Sequence, residues 1–174
     1  MIKFDTAIAF VLKYEGGYVH DPDDPGGETK YGISKRQYPD LDIAGLTEDQ
    51  AKDIYRLDYW TRNLCNQLPG PVAMAVFDTA VNMGSHRAGI LLQEAANNLF
   101  KGGDRPLLVV DGDIGPKTVT TVAKSAGVGR IPLYLVHDMM LRRIEHYVNL
   151  NRAKYLKGWI NRVVELVKAI EEAA

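Results

Sequence analysis

The chain has 174 residues, of which 46% are hydrophobic and 25% charged, and its formal net charge is −1. This length suits one domain that can bury a core, and the low net charge argues against nucleic-acid binding. The charge is uneven, since residues 1–60 hold 7 Lys/Arg and 12 Asp/Glu, whereas residues 130–174 hold 8 and 5. The basic C-terminal part either favours contact with an anionic polymer or is an ordinary solvated helix face.

The sequence contains no signal for membrane insertion or disulfide formation. Cys65 is the one cysteine, so no intrachain disulfide can form. Residues 1–5 lack the features that begin a signal peptide, and no apolar window approaches the ~18 residues of a membrane-spanning helix. We therefore expect a chain that is made in the cytoplasm without a signal peptide and has no membrane span.

The first helix is predicted over about 3–14, where apolar side chains recur at helical spacing. These are Phe4, Ala7, Ile8, Val11 and Leu12. Glu15 lies on the last turn, and Gly16-Gly17 ends the helix because glycine adopts the left-handed capping conformation. Residues 18–34 have no helical period, and strand-like stretches at 18–19 and 30–33 flank a cluster of turn-forming residues. This pattern predicts one small β-hairpin.

The remainder of the chain is predicted to be helical. Thr47 and Gln50 form a capping box that starts a helix running to about Trp60. Pro71 opens a helix over 71–83 that is apolar nearly all round and should be the central buried helix. Ser85 can cap the next helix (86–100), Pro116 opens another, and 131–149 and 157–172 are long and amphipathic. The fold class is mainly α, with six to seven helices around a central buried helix and one small β-hairpin, in one domain over 1–174.

Glu15 is the first candidate for a catalytic residue. A carboxylic acid that donates a proton near neutral pH needs surroundings that favour its protonated form. The negative end of a helix dipole disfavours an ionised carboxylate, and Tyr14 and Tyr18 can exclude water. The alternative, a surface glutamate at a helix end, stays open on this evidence.

The acidic turn offers a second carboxylate in Asp21, Asp23 or Asp24. Two carboxylates across a cleft are the minimal equipment for glycoside hydrolysis, in which one protonates the leaving oxygen and the other activates water or stabilises positive charge on the sugar. Each aspartate alone is otherwise a turn former. Thr29 can hold a nucleophilic water through its hydroxyl, or it is an ordinary strand residue.

Polar and aromatic side chains elsewhere are candidates for binding substrate. Asp78 and Asn82 lie four residues apart on one face of the central helix and either bond sugar groups or form a buried polar pair. Tyr18 and Tyr31 can stack on sugar rings, although aromatic residues also build cores. An EF-hand starting at Asp21 would place Gly32 at its twelfth position, so no calcium site is predicted. No zinc motif occurs either, and we expect no metal and no cofactor.

Several stretches resemble glycoside hydrolase family 108, the N-acetylmuramidase group that includes phage endolysins and bacterial secretion-associated muramidases. The stretches are Glu15-Gly16-Gly17-Tyr18, Asp24-Pro25-Gly26-Gly27-Glu28-Thr29, Tyr31-Gly32-Ile33, 77–84, 113–118 and 158–163. The order Glu15, Asp24, Thr29 is also similar to the Glu–Asp–Thr arrangement of phage-type lysozymes, with one residue fewer between the last two.

The resemblance implies a lysozyme-like fold and cleavage of the β-1,4 bond between N-acetylmuramic acid and N-acetylglucosamine. Glu15 would be the general acid, and Asp24 and Thr29 would position water. The outcome is inverting if the carboxyl groups are ~6.5–9.5 Å apart and retaining if they are ~5–5.5 Å apart. The resemblance also implies a catalytic part over 1–100 and a C-terminal peptidoglycan-binding helical part over 101–174.

The expected partner is therefore bacterial peptidoglycan, and we expect a monomer. Among the roles of the family, a phage endolysin is the one we expect. Without an export signal, a holin, a secretion system or lysis would have to bring the protein to the cell wall (periplasm). The alternative function is a non-catalytic cell-wall-binding or secretion-accessory module on the same fold.

Overall fold

The computed structural model describes residues 2–15, 19–20, 27–102, 106–124 and 128–174. Within these residues, the chain forms seven α-helices and one small antiparallel sheet, which confirms the predicted mainly α class. The helices are α1 (Phe4–Tyr14), α2 (Glu48–Tyr55), α3 (Gly70–Met83), α4 (Ser85–Leu99), α5 (Pro116–Ala123), α6 (Ile131–Asn149) and α7 (Ala153–Ala173), and the strands are β1 (Val19–His20), β2 (Glu28–Lys30) and β3 (Ile33–Ser34). No helix in this part of the chain is long and apolar enough to cross a membrane.

Helix α3 is the centre of the core, as its sequence predicts. Every residue from Val72 to Ala80 is buried, and the helix packs against α1, α4, α6 and α7. Its Phe77 ring makes edge-to-face contacts with the rings of Phe4 and Trp60. Such a helix can be buried on all sides because nearly all its side chains are apolar. The hydrophobic core built on it runs from Ile2 to Ile170 without a break between the two halves of the chain.

The predicted hairpin is present as β1 and β2, and a third strand extends it. Thr29 in the middle strand lies opposite Val19 on β1 and Ser34 on β3. Residues 30–33 do not form one strand, because Tyr31 and Gly32 both have positive φ (52° and 75°) and turn the chain tightly between β2 and β3. Two successive positive φ values are typical of the two-residue turns that match the twist of a hairpin.

The capping box of α2 is present. The Gln50 backbone N–H donates to Thr47 Oγ1 (3.2 Å), and the Thr47 backbone N–H donates to Gln50 Oε1 (2.9 Å). The helix does not continue in α geometry to Trp60, however, because residues Arg56–Thr61 widen into a π-helical turn. Single π turns of this kind are frequent near functional sites.

Two predicted helix starts differ from the structure. Ser85 does not cap α4 but is its first residue, after Gly84 at the N-cap. The Ser85 hydroxyl instead accepts a hydrogen bond from Asn63 Nδ2 (3.0 Å), so it is already occupied. Helix α7 begins at Ala153 and not near 157, which adds a turn containing Tyr155.

Candidate active site

A polar cleft of about 240 Å³ lies where the end of α1 meets the sheet, α2 with its π turn, and α3. The described residues that line it are Glu15, Gly32, Ile33, Gln37, Tyr38, Tyr55, Tyr59, Val81 and Asn82. Among these residues Glu15 carries the one carboxylate. A cleft rich in hydroxyl and amide groups suits a ligand with many hydroxyl groups, because each buried polar group then finds a hydrogen-bond partner.

A second, larger hollow of about 860 Å³ lies between residues 106–109 and α5. Its lining is mostly apolar and includes none of the residues predicted from the sequence to be catalytic. Size alone therefore does not mark the active site, and the position of Glu15 is the better guide.

Glu15 caps the C-terminal end of α1, and its backbone N–H donates to the Val11 carbonyl (3.1 Å). Its side chain is 22% exposed, and Oε1 accepts a hydrogen bond from Arg162 Nη1 at 3.0 Å. The other oxygen, Oε2, faces Gly32, where an added Cβ would lie 2.5 Å from it and 2.6 Å from the Tyr55 hydroxyl. Gly32 is thus required both for its positive φ and for the close approach of the carboxylate.

Arg162 on α7 holds Glu15 as part of a buried chain of alternating charges. Its Nε and Nη2 donate to Asp78 Oδ1 at 3.0 and 2.8 Å, and Arg143 Nη1 donates to Asp78 Oδ2 at 2.6 Å. Asp78 is 1% exposed and Arg143 is fully buried. Burial acts to lower the pKa of Arg162, but the adjacent Asp78 and Glu15 carboxylates outweigh it and raise that pKa above its ordinary value. Arg162 therefore stays charged.

The tyrosines of the cleft stay protonated. Burial raises the pKa of Tyr55 well above its ordinary value, with a further contribution from the Glu15 carboxylate. Burial also raises the pKa of Tyr38, together with the hydrogen bond that its hydroxyl donates to Asp58 Oδ2 at 2.6 Å. The Tyr55 hydroxyl donates to the Tyr31 carbonyl at 2.8 Å, so it fixes the turn that carries Gly32.

The predicted sugar contact of Asp78 needs a correction. Asp78 does not line the cleft, and its oxygens already accept hydrogen bonds from Arg143 and Arg162. Its position makes it the anchor of Arg162. Asn82 does line the cleft, and its Oδ1 accepts a hydrogen bond from the Tyr147 hydroxyl.

The other predicted site residues are placed as follows. Thr29 and Tyr31 are half-buried in or beside the sheet, and neither is among the described residues that line the cleft. Asp24 and Tyr18 lie outside the described residues. In the part of the chain that is described, no three His, Cys, Asp or Glu side chains form a group that could hold a metal ion.

Arg143 and Arg162 are not among the site residues predicted from the sequence, although the sequence pattern around each of them contains a signal. Each arginine falls within the apolar stripe of an amphipathic helix: Arg143 lies among buried residues of α6, and Arg162 directly precedes the buried Val163 on α7. A charged residue on a buried stripe needs a partner of opposite charge. The missing information was which carboxylate pairs with it, since Asp78 is 65 residues away from Arg143 and 84 from Arg162.

Comparisons with known proteins give a family match for each half of the chain. The model of the family described as Glycosyl hydrolase 108 matches residues 8–84, and the model described as Predicted Peptidoglycan domain matches residues 87–164. No curated protein matches the chain. The solved structure of SagA from Brucella abortus is similar over 97% of this chain and 94% of that one, with 29% sequence identity and a TM-score of 0.78. Glu15 thus lies in the part of the chain that matches Glycosyl hydrolase 108, the remainder matches a peptidoglycan domain, and the chain is a glycoside hydrolase that acts on peptidoglycan.

Proposed function

We propose that this hydrolase is an N-acetylmuramidase, which cleaves the β-1,4 bond between N-acetylmuramic acid and N-acetylglucosamine with Glu15 as the general acid. The observation that carries the proposal is the position of Glu15 as the one carboxylate among the described residues that line the cleft. Hydroxyl and amide groups of Tyr38, Tyr59 and Asn82 share this lining and can bond the substituents of two adjoining sugar rings.

The two carboxylate oxygens of Glu15 have different contacts and therefore different roles in the proposed step. Arg162 holds Oε1, so we assign proton donation in the proposed step to Oε2, which faces Gly32 and Tyr55. As the glycosidic C–O bond breaks, that proton moves to the leaving oxygen and Glu15 becomes a carboxylate. Arg162 stabilises the negative charge that develops, which is the type of preorganised electrostatic support that lowers a barrier.

Asp24 and Thr29 complete the proposed mechanism. In the inverting alternative, Asp24 accepts a proton from a water held by Thr29, and the water oxygen bonds to the anomeric carbon. In the retaining alternative, Asp24 itself bonds to that carbon and water later releases the sugar. The support for these roles is the order and spacing of the residues in the sequence and the position of Thr29 on the middle strand.

The biological setting we propose is lysis of a bacterial cell wall by a phage endolysin. The protein would work as a monomer, with a single domain over 1–174 whose C-terminal part assists binding to peptidoglycan. It would reach the wall from the cytoplasm through a holin, a secretion route or lysis. The support is the match to a predicted peptidoglycan domain and the family resemblance of the Glu15 block.

The test is mass spectrometry of fragments released from purified peptidoglycan by the wild-type protein and by Glu15→Gln. We expect fragments that end in reducing N-acetylmuramic acid from the wild type. General acid catalysis contributes about 10²–10⁴-fold, so the Glu15→Gln rate should fall by about that factor while its circular dichroism spectrum is unchanged. Glu145→Gln, at an exposed position of α6, serves as the matched control. Reducing N-acetylglucosamine ends would overturn the proposed bond, and a near wild-type rate for Glu15→Gln would overturn the proposed acid.

A further inference from the structure

Three aromatic rings stack in a column between α6 and α7. The ring centroids of Tyr147 and Trp159 are 4.9 Å apart with an interplanar angle of 25°, and those of Trp159 and Tyr155 are 5.7 Å apart at 26°. Exposure rises along the column, from 3% for Tyr147 to 49% for Tyr155. The column therefore begins in the core and ends in solvent.

The inner end of the column adjoins the wall of the active-site cleft. The Tyr147 hydroxyl donates to Oδ1 of Asn82, which lines the cleft. Arg162, which holds Glu15, is three residues beyond Trp159 and so lies on the same face of α7. A polymer that occupies the cleft and continues along this face would meet Trp159 and Tyr155 next.

Packing of α6 against α7 does not account for the outer end of the column. The Tyr155 hydroxyl and the Trp159 indole N–H have no hydrogen-bond partner among the described residues. Tyr155, at the end of the column, thus offers the outer face of its ring, and Tyr155 and Trp159 each offer a free polar group. Tyrosine and tryptophan with these properties are enriched at binding surfaces, and their faces suit the C–H face of a pyranose ring, whose hydroxyl groups can reach the polar edge.

The surface around Tyr155 is positively charged. Arg152 and Lys154 are both exposed, and neither forms an ion pair with a carboxylate in the described part of the chain. Lys154 Nζ lies 5.4 Å from the centroid of the Tyr155 ring. No carboxylate occurs between residues 151 and 159, and the first turn of α7 adds the positive end of its dipole. An aromatic face flanked by cations complements a sugar polymer that carries carboxylates.

We infer that Tyr155, stacked on Trp159 and flanked by Arg152 and Lys154, forms a glycan-binding subsite that continues the Glu15 cleft along α7. The ligand class is an anionic β-1,4-linked glycan, with a sugar ring on the outer face of Tyr155 and the carboxylates of its attached peptides near the cations. The inference rests on the proposed function, since it extends the same substrate by further sugars. It assigns Tyr155 and Trp159 to binding of distant sugars and not to bond cleavage.

The test is a fluorescence titration of the Glu15→Gln protein with a soluble, neutral N-acetylglucosamine tetramer. The chain has two tryptophans, and Trp60 is buried, so the change reports mainly on Trp159. We expect a saturable change that is lost in Glu15→Gln/Trp159→Phe. Removal of an aromatic anchor typically weakens binding by about tenfold. We expect this loss of tetramer affinity for Glu15→Gln/Tyr155→Ala. Tyr134→Ala in the same background is the matched control, because Tyr134 is 58% exposed on the distant end of α6.

A second arm separates the cations from the rings. The double substitution Arg152→Gln/Lys154→Gln should weaken co-sedimentation with purified peptidoglycan and leave the affinity for the neutral tetramer unchanged. Equal tetramer affinities for the Tyr155→Ala and Tyr134→Ala proteins, or the absence of a saturable signal from Trp159, would overturn the subsite. Failure of the proposed function would be seen separately, as a wild-type protein that releases no reducing ends from peptidoglycan.

Discussion

The two matched regions of the chain contribute opposite kinds of residue to one site. Region 8–84 supplies the carboxylates Glu15 and Asp78, whereas region 87–164 supplies the guanidinium groups of Arg143 and Arg162. The first region holds the residue that contacts substrate in the proposed mechanism, and the second holds that residue in place. The boundary between the two family matches is therefore not a boundary between functions in this protein.

This division also couples the stability of the two regions. Asp78 on α3 is neutralised by arginines from α6 and α7. Neither region can therefore unfold alone without leaving a buried charge unpaired. Removing one partner of a buried ion pair typically costs about 3–5 kcal/mol, chiefly because the remaining charge is left uncompensated. The ion pairs at the protein surface should matter far less, since solvent screens them.

The largest expected effect is on stability, from Asp78→Asn. It leaves Arg143 and Arg162 without their shared carboxylate, so we expect the free energy of unfolding to fall by about 3–5 kcal/mol in urea titrations at pH 7. Asp138→Asn is the matched control, because Asp138 pairs with Arg142 at 2.8 Å with both side chains partly exposed, and it should cost less than about 1 kcal/mol. Equal losses in the two variants would show that the buried network does not couple the regions.

The next effect is on catalysis, from Arg162→Lys. Lysine keeps the charge but lacks the planar fork that binds Asp78 and Glu15 together. A misplacement of about 1 Å in a catalytic group can cost about 10²-fold in rate, so we expect kcat to fall about hundredfold with KM little changed. Arg130→Lys, at an exposed position before α6, should leave both constants unchanged. An increase in KM at constant kcat would instead assign Arg162 to substrate binding.

A smaller effect on catalysis is expected from Gly32→Ala, on the other side of Glu15. The new Cβ would meet Glu15 Oε2 and the Tyr55 hydroxyl, so we expect kcat to fall about tenfold as the carboxylate is displaced. Gly102→Ala separates this contact from backbone strain, because Gly102 also has a positive φ (90°) and a Cβ there meets nothing within 4 Å. Both variants should lose some stability, and only Gly32→Ala should lose activity. Comparable losses of kcat in both would refute a role for the close approach.

The smallest effect is on the chemical labelling of Cys65. This residue lies in region 8–84, so its labelling reports on the unfolding of that region alone. Burial raises the pKa of its thiol well above the ordinary value, so the thiolate that reacts with alkylating reagents is scarce in the folded protein. We expect negligible labelling at pH 8 without urea, and labelling in urea that coincides with loss of helical circular dichroism. Labelling at lower urea concentrations would mean that the first region opens before the second.

The sequence was sufficient to predict elements whose cause is local. The buried helix α3, the capping box at Thr47 and the helix-end position of Glu15 each follow from neighbouring residues, and the structure has all three. The turn at Tyr31-Gly32 cannot be separated from the strands by local sequence, because its type depends on the pairing of β2 with β3.

The arginine network could not be predicted for a different reason. A single sequence does not say which of 22 Asp and Glu residues meets a given arginine. The Asp78 pairs join residues 65 and 84 positions apart, and only the packing of α6 and α7 on α3 brings them together. The same limit explains why the sequence leaves Asp78 open between sugar binding and a buried polar pair and does not indicate its support of Arg162.

The central claim is that Arg162 acts on the reaction through Glu15, and kcat on purified peptidoglycan in a double-mutant cycle tests it most directly. The cycle compares wild type, Arg162→Lys, Glu15→Asp and the double variant. In Glu15→Asp the shorter side chain withdraws the carboxyl group from Arg162, so the interaction is already lost. We predict that Arg162→Lys lowers kcat about hundredfold in the wild-type background but by no more than about twofold in the Glu15→Asp background. The same hundredfold loss in both backgrounds would contradict the account.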